Sequence, residues 1–151
     1  MKNRLPIKAL LGGLAVFALL LLWGYSKFWQ RSRQVFTTLE LQGHAKMIQT
    51  YLEVPRSEKL TLDDVYNKFH AGELGATLDA WRNPYVLICR ETPDGISFVL
   101  ISTGSDGKRD YYKPQRYFEL APEWIAGEYK RDIVFRDGKL VTRTGGYQSE
   151  A

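Results

Sequence analysis

Residues 9–26, between Lys8 and Lys27, form an uncharged, mostly apolar run that includes Leu10, Leu11, Leu14, Val16, Phe17 and the block Leu19 to Leu22. As a helix the run extends about 27 Å at about 1.5 Å per residue, close to the ~30 Å hydrocarbon thickness of a bilayer. The pattern predicts a transmembrane helix over 9–26, preceded by a short segment, 1–8. Trp23, Tyr25, Phe28 and Trp29 cluster at its far end, as expected where a spanning helix crosses the headgroup layer. The helical signal then continues. Residues 27–54 hold no proline and one glycine, Gly43, and Leu41, Ala45, Ile48 and Leu52 recur at i, i+4, i+7 and i+11. Pro55 disfavours helix in the residue before it and ends the stripe. No glycine-, serine- or proline-rich tether separates the two halves, so the sequence predicts one rod of about 45 residues.

A shorter helix is predicted over 61–71. Thr61 caps it, Asp64 completes a capping box, Leu62, Val65 and Phe69 share a face, and Gly72 stops it. From Tyr85 the period becomes that of strands. Tyr85 to Arg90 and Ile96 to Thr103 flank Thr92-Pro93-Asp94-Gly95 and read as a hairpin; Ile133 to Phe135 and Leu140 to Thr144 flank Arg136-Asp137-Gly138-Lys139 and read as a second. Between them, residues 104–131 are too long for a simple turn and carry Tyr111, Tyr112, Tyr117, Phe118 and Trp124, which implies a loop that is functional or held by something other than strands. These elements predict an α+β domain over 27–144, a long N-terminal helix packed on a small antiparallel sheet, with a flexible tail at 145–151.

Charge narrows the function classes. Residues 1–33 hold six basic residues and no acid, and 34–151 hold 15 basic and 17 acidic residues. The folded body is slightly acidic, so no nucleic-acid partner is expected, since binding to phosphates needs positive charge there. Three basic residues stand on each side of the apolar run, which leaves membrane orientation open by charge alone. A basic start, a short apolar stretch and the small residues Gly24 and Ser26 also fit a signal peptide, whose removal would release a soluble extracytoplasmic binding module.

The single cysteine, Cys89, excludes an internal disulfide and a thiolate zinc cluster, and its apolar neighbours Tyr85-Val86-Leu87-Ile88 place it in a buried strand. His44 and His70 lack local metal-ligand partners and read as solvated helix residues. No Ser-His-Asp pattern, phosphate loop or zinc spacing is present, so the chain reads as non-enzymatic; a membrane-anchored enzyme of unrecognised type is the remaining alternative. Trp81, Asn83, Pro84 and Tyr85 form either a ligand-stacking surface or, as the aromatic content favours, a structural corner.

The order of apolar helix, amphipathic continuation, short helix, Asp79-Ala80-Trp81-Arg82-Asn83-Pro84-Tyr85, a hairpin, and Ser102-Thr103-Gly104-Ser105-Asp106-Gly107 resembles the major pseudopilin of type II secretion, the protein G type. In that family a D-x-W-G-N-P-Y segment leads into the first strand and an S-x-G-x-D-G segment follows the second. The resemblance covers roughly 40–142, with Asp132-Ile133 near its end. Arg82 stands where the family has glycine, and Met-Lys-Asn-Arg-Leu-Pro-Ile-Lys precedes the apolar run where the family has its prepilin peptidase site.

The resemblance implies a pilin-like fold and a single-pass protein of the bacterial inner membrane with its C-terminal domain in the periplasm. It implies work by contact with other pseudopilins or secretion-system proteins, homo-oligomers included. It also implies a calcium loop. Calcium takes six to eight oxygens, and a loop with aspartates and exposed carbonyls can supply them. By position the ligands would be Asp106, Asp110 and Asp132, with backbone oxygens near Ser102 and Thr103; the alternative is that Asp106-Gly107 is a turn and Asp132 a strand-end residue.

Overall fold

A computed structural model describes residues 7–55, 60–74, 78–124 and 128–143. One helix, α1 (Ile7–Glu53), runs through the predicted spanning segment and the amphipathic segment without a break. The chain divides into two units between Ser32 and Arg33.

In the first unit the apolar side chains point outward all round the helix. Leu14, Phe17, Leu19, Leu20, Leu21, Leu22 and Trp23 are each more than half exposed. Contiguous apolar surface of this extent is unfavourable in water. By length and composition this is a helix able to cross a bilayer. Tyr25 stacks on Trp29 with ring centroids 6.4 Å apart, and Lys27 Nζ lies 5.9 Å from the Trp23 ring.

The second unit is α+β. Its other elements are α2 (Leu62–His70), β1 (Val86–Thr92), β2 (Gly95–Ser102), a 3-10 turn at Gly104–Asp106, α3 (Gln115–Glu119), β3 (Glu123–Trp124), β4 (Ile133–Arg136), β5 (Lys139–Leu140) and β6 (Thr142–Arg143). The expected capping box is formed: Thr61 N–H donates to Asp64 Oδ2 at 2.9 Å and Asp64 N–H donates to Thr61 Oγ1 at 3.3 Å. Four strands make an antiparallel sheet in the order β1-β2-β4-β5, with Leu100 opposite both Leu87 and Phe135.

Alternation along β2 sets the layers. Phe98 and Leu100 face α1 and α2, where Leu41, Ala45, Ile48, Val65 and Phe69 complete one core. Val99 and Ile101 face the other side, where Tyr117, Phe118, Val134 and Val141 form a second. Because both faces are covered there, Phe98 to Ile101 of β2 read as an unbroken apolar run and not as alternation.

Three expectations change. The predicted strand Leu140 to Thr144 is two short pieces: Val141 N–H donates to Val134 O at 2.8 Å, and the chain then turns so that β6 pairs in parallel with β3. Cys89 is half-buried, since β1 is an edge strand. His44 is also half-buried, edge-on to the Tyr85 ring at 5.6 Å, whereas His70 is exposed as expected. The expected tail, 145–151, lies outside the described residues, as does most of 1–8.

Candidate functional site

Two sets of hydrogen bonds organise the loops of the second unit. The first is the corner at 79–83. Asp79 is buried, and its Oδ1 accepts the N–H groups of Trp81 at 2.9 Å and Asn83 at 2.8 Å. Its Oδ2 accepts the Ser102 hydroxyl at 2.6 Å. Ala80 N–H donates to Thr37 Oγ1 at 3.2 Å, fixing the corner to α1, and Asn83 Nδ2 donates to Gly104 O at 2.6 Å, fixing it to the following loop. Arg82 adopts φ +68°, the left-handed conformation in which glycine is normally preferred, so the turn forms without the glycine. Tyr85 is buried and Trp81 packs against the first core, which makes this segment the structural corner and not a stacking surface.

The second constraint is a carboxylate clasp closing the 104–131 loop. Asp110 N–H donates to Asp132 Oδ2 at 2.9 Å, and Asp132 N–H donates to Asp110 Oδ2 at 3.0 Å. The Tyr117 hydroxyl also donates to Asp132 Oδ2, and Tyr111 N–H donates to the same hydroxyl at 3.2 Å. Arg131 places Nε 2.9 Å from Asp110 Oδ2, and its other nitrogens reach Glu123 at 2.9 Å and Glu128 at 3.4 Å. Gly104, at φ +63°, lies so close to the carbonyls of Tyr129 and Arg131 that a Cβ would sit 2.7 Å from each oxygen. The loop is therefore ordered by these hydrogen bonds, by the buried Tyr117 and by the short pairing of β3 with β6.

Asp132 is 1% exposed, and among the described residues its Oδ1 has no hydrogen-bond partner. Burial pushes its carboxyl up to about 6; the Tyr117 and Asp110 hydrogen bonds oppose this, and the charges of Asp110 and Asp106 add to it. Burial likewise raises the Tyr117 hydroxyl.

Of the three expected calcium ligands, Asp110 and Asp132 meet directly. Asp106 is exposed and its Oδ1 accepts Lys108 N–H at 3.0 Å. Among the described residues no group of three His, Cys, Asp or Glu is arranged to hold a metal. The donor set is mixed: Asp132 Oδ1 is a buried, unshared oxygen of the kind a hard cation takes, but Arg131 already neutralises Asp110.

Burial pushes the Cys89 thiol up to about 12, so it is not an activated nucleophile, and burial lowers His44 despite Glu40. Thr37 was the ordering residue that the sequence left unmarked, since a threonine on a helix face carries no distinguishing signal; Tyr117 was one of several loop aromatics, and the sequence did not single it out. Comparison with known protein families, curated proteins and solved structures gives no match to this chain.

Proposed function

We propose that this is a non-enzymatic, membrane-anchored component of a type II secretion or type IV pilus-like assembly, with a pseudopilin-like head on the periplasmic side of the bacterial inner membrane. It acts through contacts with other pseudopilins, secretion-system proteins or copies of itself. The observation that carries the reading is α1, which passes from exposed apolar residues to a face buried under a sheet within one unbroken helix. The resemblance gains support because its two segments form one bonded unit, through Asp79 with Ser102 and Asn83 with Gly104. The buried polar groups of that unit bond to one another, an arrangement suited to holding a shape. Calcium, if taken up, would be held by Asp132 and Asp110 with Asp106 from the rim, and would add electrostatic bracing to the loop.

Carbonate washing of membranes carrying the intact chain tests the anchor. Retention is expected, because a helix of this apolarity is held by lipid and not by charge. A soluble form beginning near Lys27 would replace this reading with that of a released binding module.

A further inference from the structure

Three aspartates in the second unit precede glycine, at Asp94-Gly95, Asp106-Gly107 and Asp137-Gly138. In such a pair the glycine nitrogen can close on the aspartate side-chain carbon, since the following residue has no Cβ to limit the backbone. Closure needs a near-attack geometry, so the carboxyl and the backbone beside it must be free to turn. The fold grants that freedom unequally. Asp137 is held most firmly: its Oδ1 accepts Phe98 N–H at 2.8 Å, its Oδ2 accepts the Ser97 hydroxyl at 3.0 Å, and its own N–H donates to Phe98 O at 3.0 Å. Gly138 beside it packs against the Gln49 side chain. Asp106 is exposed, but its Oδ1 accepts Lys108 N–H at 3.0 Å, and a Cβ on Gly107 would lie 3.0 Å from Asn83 Oδ1. Asp94 is exposed, and among the described residues no hydrogen bond or ion pair holds its carboxyl. A Cβ on Gly95 would meet nothing within 4 Å. The pair lies at the tip of the hairpin joining β1 and β2, where Thr92 opposite Gly95 is the last rung, so the backbone can open there without loss of the sheet.

We propose that Asp94-Gly95 is a modification site at which the chain spontaneously forms isoaspartate, ahead of the other two pairs. The Gly95 nitrogen bonds to Asp94 Cγ, and the carboxyl hydroxyl leaves with the amide proton as water, giving a five-membered succinimide. Water then adds to one of the two imide carbonyls and breaks its bond to nitrogen. Addition at Cγ restores aspartate. Addition at the main-chain carbonyl leaves the chain running through Cβ and Cγ, with the former main-chain carbon as a carboxylate. No oxidant is involved, and water is the only co-reactant. The product lengthens a two-residue hairpin turn by one main-chain carbon, which strains the Thr92 and Gly95 rung and the 3.0 Å bond from the Thr92 hydroxyl to Gly95 O. The inference concerns the hairpin alone and is independent of the membrane anchor.

The test incubates the full chain in detergent micelles at mildly acidic pH, where part of the carboxyl is in its reactive protonated form. Samples taken over weeks are digested with a protease that cleaves before aspartate but not before isoaspartate, and the isomeric peptides are separated and assigned by mass spectrometry. Isoaspartate should accumulate at Asp94 about fivefold or more faster than at Asp106 or Asp137, since each hydrogen bond that must break first slows closure by about that factor. Asp94→Glu, which would need a six-membered ring, should remove most of the isoaspartate from the folded chain. In urea, where the hydrogen bonds are gone, the three rates should converge. Equal rates in the folded chain, or a lead for either of the other pairs, overturn the proposal. A lead for Asp94 that persists undiminished in urea also overturns it, because local sequence and not the fold would then select the site.

Discussion

Asp110 and Asp132, from opposite ends of the long loop, each accept the backbone N–H of the other. Burial of Asp132, with the nearby Asp110 charge adding to it, raises its carboxyl to about 6 in the folded chain against about 3.9 in an unfolded one. Its contribution to stability is fully present below the unfolded value and is lost as pH rises through about 6. Relative to Asp132→Asn, the wild type should lose on the order of 2 kcal/mol between pH 4 and 7 in urea unfolding. Taking the difference removes the opposing effect of His44, whose lowered value favours the fold as pH rises. Parallel curves for the two proteins would show that Asp132 is ionised throughout. Tyr117→Phe, which deletes a hydrogen bond favouring the ionised form, should move the wild-type transition to higher pH.

Arg82 is exposed and sits at φ +68°. A side chain in the left-handed region costs about 1–2 kcal/mol, and glycine gives back part of this through the freedom of the unfolded chain. Arg82→Gly should stabilise the head by about 0.5–1 kcal/mol, read as a higher denaturation midpoint with an unchanged slope. A lower midpoint would mean that the arginine side chain contributes more than its backbone strain removes.

Gly104 presents the reverse case. An added methyl would meet two carbonyl oxygens at 2.7 Å, both of them backbone. Gly104→Ala should cost about 3 kcal/mol or more and expose the loop to proteolysis near Asp110 before the sheet unfolds. Wild-type melting and cleavage patterns would mean that the carbonyls of Tyr129 and Arg131 move aside freely.

Calcium bound only by the folded head should raise its melting temperature at ion concentrations well above the dissociation constant, and a chelator should reverse the rise. Asp132→Ala should abolish the response. Identical melting of the wild type with and without the ion would leave the clasp as a purely protein-made closure.

Much of this fold was legible. The Leu41, Ala45 and Ile48 stripe marked the buried face of α1, and Thr61 with Asp64 marked the start of α2. Both are local patterns with one dominant cause. The stripe did not extend back to Gln34, Thr37 and Thr38, which are buried although polar. Thr37 is met by Ala80 from far along the chain, which no helical period reveals, whereas the Thr38 hydroxyl donates to Gln34 O one turn earlier. Asp110 and Asp132, named together as calcium ligands, meet in space, but the sequence gave no hint of Arg131, because an arginine next to an aspartate in sequence is common and its reach to Glu123 depends on the loop. The division of the last strand depended on a parallel pairing with Glu123 and Trp124, inside a segment that read as irregular.

The Tyr66 hydroxyl accepts the N–H of Cys89 at 2.9 Å on the outer margin of β1, while the far margin of the sheet is only the two residues of β5. An incoming chain seeking to extend the ladder would have to displace α2 on one side and would find almost no template on the other. Extension of this sheet by a strand from another chain is thereby discouraged at both margins.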